Sequence, residues 1–344
     1  MNVGLIIGFQ NPGAWAREWI DVYSDTLELA TAADQLGLDH LWLTEHHFAE
    51  DGYSPALMPI AAAIASRTSH IRIGTKVMLL PFHNPVRLAE DIATVDILSG
   101  GRIDPGFAAG YREAEFTGFG LSVRDRGRMM EEGLTVLASA LAGEAVTFKG
   151  EFWSFDDAHI APPPIQKPMP LWMGARTKAG IRRAARFGCH FQFADFSIER
   201  TLEDLSVYRQ ALEAHGRDPA GHRMVVVCTL YVDEDPERAW HNIGPHVMYQ
   251  QNMYRAWFHD AGDRTADRQA DQLTDVSQVM GRDHLVGSPE EVRDAILTFQ
   301  KSVPFTDLSF WMCLPGMTTE QTMDSLVLFA EKVMPALHDQ SEAL

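Results

Sequence analysis

The sequence predicts an α/β protein of the TIM (β/α)8 barrel type. Short apolar runs alternate with segments of helical period along most of the 344 residues, the pattern of repeated βα units on a parallel sheet. Eight strand candidates can be counted in that alternation. Right-handed crossovers between them close a barrel, an open doubly wound sheet being the alternative. Polar residues able to do chemistry follow several strands directly, where a closed parallel barrel gathers its active site.

The elements follow in order. VGLIIGF (3–9) reads as the first strand, and the apolar positions of 19–37 recur at helical spacing until Gly37 stops them. HLWLT (40–44) is the second strand and ALMPIAAAIASRT (56–68) the second helix. IRIGTKVMLLP (71–81) is the third strand, followed by a helix over 85–101 with Pro85 in its first turn and glycines at its end. GRIDPGFAAG (101–110) is the fourth, with a bulge expected at Pro105, which cannot donate to a ladder. A helix over 124–143 precedes a small hairpin, AVTFKGEFWSF (145–155), and the extended connector APPPIQKPMP (161–170). LWMGA, KAGIRRAARFG, CHFQFA, ERTLEDLSVYRQALEAHG and MVVVCTLYV continue the rhythm, and FTDLSFWMCL (305–314) closes the series. Residues 241–285 fit no simple βα unit and read as an excursion.

Barrels run to this length as one unit, so residues 1–344 are expected to form a single domain. Apolar residues make up 46% of the chain, ample for a large core. With 29 basic against 47 acidic residues, a formal net charge of −18, and no Lys/Arg-rich run, nucleic acid and anionic membranes are poor partners. Cys189, Cys228 and Cys313 are odd in number and lack CxxC spacing, which suggests neither a disulfide framework nor a cysteine zinc site and fits a reducing, cytoplasmic setting. MNVGLIIGFQ has no basic residue before Arg17 and no clean cleavage site, so it reads as a strand rather than a signal peptide. No apolar run approaches the ~20 residues of a membrane span.

Three strand ends carry candidate chemistry. Glu45, His46 and His47 follow the second strand, and adjacent histidines in extended backbone point to opposite sides, so one is expected to be functional and the other structural. Imidazole suits acid/base or cofactor work near neutral pH. A structural cluster is the plain alternative, and a metal site lacks an HExxH or other spaced set. In GYREAEFTGFG (110–120), Gly110 lets backbone approach a planar or phosphorylated ligand, while Tyr111, Arg112, Glu113 and Glu115 bring polar groups to the same rim. In WMGARTKAG (172–180), Gly174, Ala175, Arg176 and Thr177 offer backbone N–H groups, a guanidinium and a hydroxyl at a helix N-terminus, a combination that binds phosphate. A plain N-cap by Thr177 with Arg176 in solvent is the alternative there. No GxGxxG or Walker pattern occurs.

With these sites assembled, the sequence resembles the bacterial luciferase-like family of flavin-dependent monooxygenases. WLTEHHFAEDG (42–52), LLPFHNPVRLAEDIATVDILSGGR (79–102), GYREAEFTGFG (110–120), VGSPEEVRDAI (286–296) and LFAEKVMPAL (328–337) stand in the family's order. The resemblance implies a TIM barrel that binds reduced FMN, lets it react with dioxygen and passes an oxygen atom to a small organic substrate. It implies that His46 is catalytic, with Glu45 and His47 beside it, that Lys76 and Val77 are joined by a non-prolyl cis peptide under the flavin ring, and that Gly174 to Thr177 form the phosphate-binding turn. The family's reactive cysteine falls on Ala108 and a phosphate-binding arginine on Ala109, which speaks against light emission and leaves Arg176 as the expected anion clamp.

Phe9, Phe48, Trp311 and Met312 stand near strand ends, as an apolar pocket wall or as ordinary core. As a wall they suit an aldehyde, ketone or terpene. The expected function is therefore an FMN monooxygenase supplied by a separate flavin reductase, with a homodimer as the family-level expectation. A deazaflavin-dependent oxidoreductase on the same barrel, a non-catalytic flavin-binding subunit and a metal hydrolase are the rivals.

Overall fold

The structure, a computed structural model, describes residues 1–344 except 195, 262–271, 281–283 and 340–344. Its strands are β1 (Asn2–Ile7), β2 (His40–Leu43), β3 (Arg72–Thr75), β4 (Met78–Leu79), β5 (Ile103–Asp104), β6 (Gly106–Ala108), β7 (Val146–Lys149), β8 (Ser154–Ala158), β9 (Trp172–Gly174), β10 (His190–Gln192), β11 (Met224–Val232), β12 (His284–Gly287) and β13 (Asp307–Trp311). Its helices are α1 (Trp19–Gln35), α2 (Leu57–Ala65), α3 (Pro85–Ser99), α4 (Glu113–Gly118), α5 (Arg126–Leu141), α6 (Lys178–Phe187), α7 (Ile198–Ala214), α8 (Pro236–Asp260), α9 (Pro289–Ser302), α10 (Thr319–Lys332) and α11 (Met334–Asp339).

Parallel pairing runs from β13 through β1 and β2 to β3, and from β6 through β9 and β10 to β11 and β13. The two arcs meet because the third and fourth predicted strands are each split in two. Ile73 pairs with Ile103 below the breaks, and Met78 with Phe107 above them. The sheet therefore closes on itself as a barrel. Pro105 makes the break in the fourth strand, and Thr75 Oγ1 bridges it by accepting from the Gly106 amide and donating to the Gly106 carbonyl, both at 2.7 Å.

Side-chain alternation sorts the strand residues into two apolar sets. Leu5, Leu41, Ile73 and Phe191 join the core that the helices cover, while Ile6, Trp42, Trp172 and Val225 form a separate cluster that fills the barrel. Trp42 and Trp172 meet edge to face at 5.3 Å. Gly74 makes room for this, since a Cβ there would stand 2.2 Å from the Trp42 ring. Beneath lies a polar layer in which Arg72 pairs with Asp104 at 2.6 Å and Arg223 pairs with Asp307, with His40 between them. This end carries ion pairs instead of loops bearing the candidate residues.

Local signals set the helix ends. Asn84 caps α3 by accepting from the Val86 and Arg87 amides, Pro85 occupies the first turn, and Gly100 ends it in the left-handed region at φ 68°. The expected excursion over 241–285 is corrected at both ends. It opens with α8, which starts at Pro236 behind the Asp235 cap, and it ends in an added strand, β12, whose Thr229↔His284 register extends the pairing of β11. The part of it over 262–271 and 281–283 lies outside the described residues.

Candidate functional site

β2 ends at Leu43, and Glu45, His46 and His47 follow it, all buried despite their polarity. His47 Nε2 lies 2.7 Å from Glu45 Oε1, and His83 Nε2 reaches the same oxygen at 3.2 Å. The Leu79 amide donates to Oε2 at 3.1 Å. Burial pushes the Glu45 carboxyl up, but the hydrogen bonds and positive charge from His47 and His83 outweigh it and hold it at about 2. Glu45 thus holds His47 and His83 and ties the end of β4 to the loop after β2.

His46 points the other way. Its Nδ1 lies 2.8 Å from Glu115 Oε1, an oxygen that also accepts from the His47 amide at 3.0 Å and from Arg112 Nη1 at 3.2 Å. Burial raises the Glu115 carboxyl, and the His46 hydrogen bond leads the effects that bring it below its ordinary value. Glu115 Oε2 is buried without a hydrogen-bond partner among the described residues. The two histidines therefore divide as the alternation of extended backbone requires, each held by its own carboxylate.

Rings enclose His46. Tyr53 meets it edge-on at 4.7 Å, Trp257 lies at 4.8 Å, and Tyr111 and Tyr254 stand at 5.9 and 6.1 Å. The last turns of α8 supply Tyr254, Trp257 and Phe258. Tyr53 and Tyr254 join hydroxyls at 2.7 Å, Tyr111 stacks on Phe258 at 4.7 Å, and the Arg112 guanidinium sits 3.8 Å over Trp257.

Past the end of the neighbouring β3, the Lys76–Val77 peptide is cis. Lys76 Nζ donates to the Phe193 carbonyl at 3.0 Å, spanning the mouth from the third strand to the end of β10, and burial holds the amine down at about 7. A Cβ on Gly174 would stand 2.9 Å from Val77 Cγ1, so glycine leaves the space beside that peptide open. Beneath, Gln192 Nε2 donates to the Thr75 carbonyl at 3.0 Å, while its buried Oε1 has no partner among the described residues. Thr177 caps α6 by accepting from the Gly180 amide, and the Arg176 guanidinium lies 5.1 Å from the Phe258 ring centre. Arg176 and Tyr111 thus face the same phenylalanine from two strand ends, with Ala175 packed near Gly180. Gly110 takes φ 73°, and a Cβ there would come within 3.2 Å of Phe116.

The expected apolar wall is not where the sequence placed it. Phe48 is 59% exposed, because its backbone turns into the left-handed region at φ 53° and carries the ring outward onto Phe119. Phe9 and Met312 are wholly buried in the core, Phe9 against Tyr23 at 4.6 Å, and Trp311 packs against the cluster inside the barrel. The wall around His46 comes instead from Tyr53 and α8, which sequence reasoning left in the excursion. One signal was available: Tyr254, Trp257 and Phe258 are spaced i, i+3, i+4, an aromatic stripe on one helix face. His83 and Gln192 had no comparable signal. Among the described residues no group of three or more His, Cys, Asp or Glu is placed to hold a metal ion, and no helix is long and apolar enough to cross a membrane.

The model of the luciferase-like monooxygenase family matches residues 1–304. The chain is 27% identical to the oxygenase component of the flavin-dependent trigonelline monooxygenase of Acinetobacter baylyi, over 92% of this chain and 91% of that protein. It is 28% identical to an F420-dependent glucose-6-phosphate dehydrogenase of Kineococcus radiotolerans, over 90% and 92% of the two chains. Among solved structures, the monooxygenase RslO1 from Streptomyces bottropensis superposes with a TM-score of 0.87 at 28% identity, covering 98% of this chain and 100% of that one.

Proposed function

The chain belongs to the luciferase-like monooxygenase family, and from that premise we propose that it is the oxygenase component of a two-component, FMN-dependent monooxygenase acting on a small, largely apolar organic substrate. The observation that carries this reading is His46, held through Nδ1 by Glu115 and surrounded by Tyr53, Tyr111, Tyr254 and Trp257. An imidazole oriented through one nitrogen keeps the other for a ligand's proton, and the rings keep water away from it.

The residues present fit a phosphorylated planar ring. Gly174 leaves open the space that a Cβ would take beside Val77, and the buried Tyr111 hydroxyl and Gln192 Oε1 have no partner among the described residues. Arg176 would hold the phosphate, Lys76 and Val77 would underlie the ring, and Gly110 would let the fourth strand end approach it. Reduced FMN, when bound, supplies the activation of dioxygen. The chain's own part is to bind and orient the ring, exclude water through the α8 rings, and hold or move a proton at His46 Nε2. A separate reductase is supported by the relative named as an oxygenase component. The three free cysteines suit a reducing, cytoplasmic setting, and the homodimer belongs to the same proposal.

The test is rapid mixing of anaerobically reduced FMN, with and without the protein, against dioxygen. Bound flavin should reoxidise at least about tenfold more slowly than free flavin as water is excluded, and equal rates would defeat the reading. The relation to an F420-dependent enzyme favours a second reading, hydride transfer with a deazaflavin. Tighter binding of F420 than of reduced FMN would select it.

A further inference from the structure

Asp51 follows the loop that carries the two histidines and is only 4% exposed. Its Oδ2 accepts from Gln10 Nε2 at 2.7 Å and from the Tyr249 hydroxyl at 3.0 Å. Its Oδ1 is buried with no partner among the described residues. Both partners are neutral: Tyr249 is an ordinary phenol whose acidity is weakened further by burial and by the charge of Asp51 itself. Among the described residues this buried carboxylate is held only by an amide and a phenol, without the counter-charge found at Asp104 and Asp307, and without the three amide donors that satisfy both oxygens of the buried Asp96.

The surroundings indicate what supplies it. Asp51 stands beside the wall that encloses His46: it precedes Tyr53 by two residues and accepts from Tyr249, which shares α8 with Tyr254, and the Tyr53 and Tyr254 hydroxyls bond each other at 2.7 Å. The Tyr53 ring touches His46 at 4.7 Å. Trp15 lies edge-on to Tyr249, the phenol that holds Asp51, at 5.8 Å. An unpaired buried carboxylate oxygen with aromatic residues nearby is the chemistry that recognises a cationic nitrogen, by charge first and by π attraction second. The formal charge of −18 favours the approach of cations and disfavours anions.

We propose that Asp51 anchors a positively charged nitrogen of the substrate, placing the apolar body of that molecule along Tyr53 and Tyr254 toward His46. This rests on the monooxygenase reading and narrows its substrate class. A neutral hydrocarbon would leave Oδ1 as it stands, and an anion would meet repulsion.

The experiment compares three probes of one size, benzylammonium, benzyl alcohol and benzoate, by tryptophan fluorescence titration of the full chain with FMN present. Benzylammonium should bind at least about tenfold tighter than benzyl alcohol, with benzoate weakest. Asp51→Asn should reduce the preference to below about twofold. Met253→Lys provides a second route that leaves Asp51 in place. The Met253 sulfur lies 3.6 Å from Gln10 Nε2, so a lysine there brings its own ammonium to the carboxylate and should also remove the preference. Equal binding of the ammonium and the alcohol by the unaltered protein overturns the proposal, as does a preference that survives in either folded variant. FMN binding by the unaltered protein separates the two failures: without it the monooxygenase reading falls, and with it only the role of Asp51 does.

Discussion

Glu115 Oε1 lies 2.8 Å from His46 Nδ1 although 69 residues separate them, and the same oxygen accepts the His47 amide. One carboxylate from α4, the short helix that follows the fourth barrel strand, therefore sets both the ring orientation of His46 and the backbone that carries it. Glu115→Gln keeps the shape and removes the charge, so kcat should fall by about 100-fold, the lower end of what a positioned acid/base group contributes, with FMN affinity changed by less than roughly threefold. Glu115→Asp should recover part of the loss. Steady-state kinetics alongside FMN titration distinguishes this from general unfolding.

Acid should destabilise the protein through Glu45. Its folded value of about 2 lies below its ordinary 4.5. A lowered carboxylate contributes stability that is full above the ordinary value and is lost as pH falls toward the folded one. The loss, roughly 3 kcal/mol from this group, falls between pH 4.5 and 2. Urea unfolding at pH 5 and pH 3 should show a smaller drop for Glu45→Gln than for the unaltered protein.

Lys76 gives a slope of the same sign on the other side of neutrality. Burial lowers its amine from 10.5 to about 7, so between those values the unfolded chain holds a proton that the folded one has released, and stability rises with pH. Below pH 7 the charged amine carries its full desolvation cost. The linkage amounts to roughly 4 kcal/mol at pH 7, and the hydrogen bond to the Phe193 carbonyl that Lys76→Met removes offsets part of it, so the variant should stabilise the ligand-free protein by roughly 2 to 3 kcal/mol at pH 7 and by less at pH 10. A lysine variant equal to the unaltered protein at both values would mean that the amine keeps its water.

Arg176→Ala should weaken FMN binding by about tenfold while changing riboflavin binding by less than twofold, because only FMN offers the phosphate that a guanidinium grips. Fluorescence quenching of the two flavins reads both numbers. Equal losses would place Arg176 on the ring, and a change in FMN affinity below twofold would remove it from the site.

Gly106→Ala tests the barrel closure. The added Cβ would stand 2.2 Å from the Thr75 carbonyl oxygen and 2.7 Å from Gln192 Nε2, and backbone cannot step aside as a side chain can. A loss of about 3 kcal/mol or more is expected in chemical denaturation, from overpacking at the seam where the third and fourth strands meet.

The eight strands were legible because each pairs a short apolar run with a helix of clear period, and a closed parallel barrel is the economical way to bury both faces of such runs. The placement of the candidate residues was legible too: Glu45, His46 and His47, Gly110 to Glu115 and Gly174 to Thr177 all follow strands of the barrel. Pro105 announced its own break in the ladder.

Tertiary structure decided which partners those residues take. Alternation says that His46 and His47 diverge, but not that Glu115 awaits the first, a contact between residues 69 positions apart, nor that the neighbouring Glu45 folds back onto the second while also holding His83. It also decided the wall. Phe48 is as apolar as Trp257, yet a left-handed turn sends the first outward while a helix lays the second against His46. Periodicity along a chain reports which face is buried, because burial repeats with the geometry of its own element. It carries no record of what a distant segment brings to that face, and here α8 brings most of it.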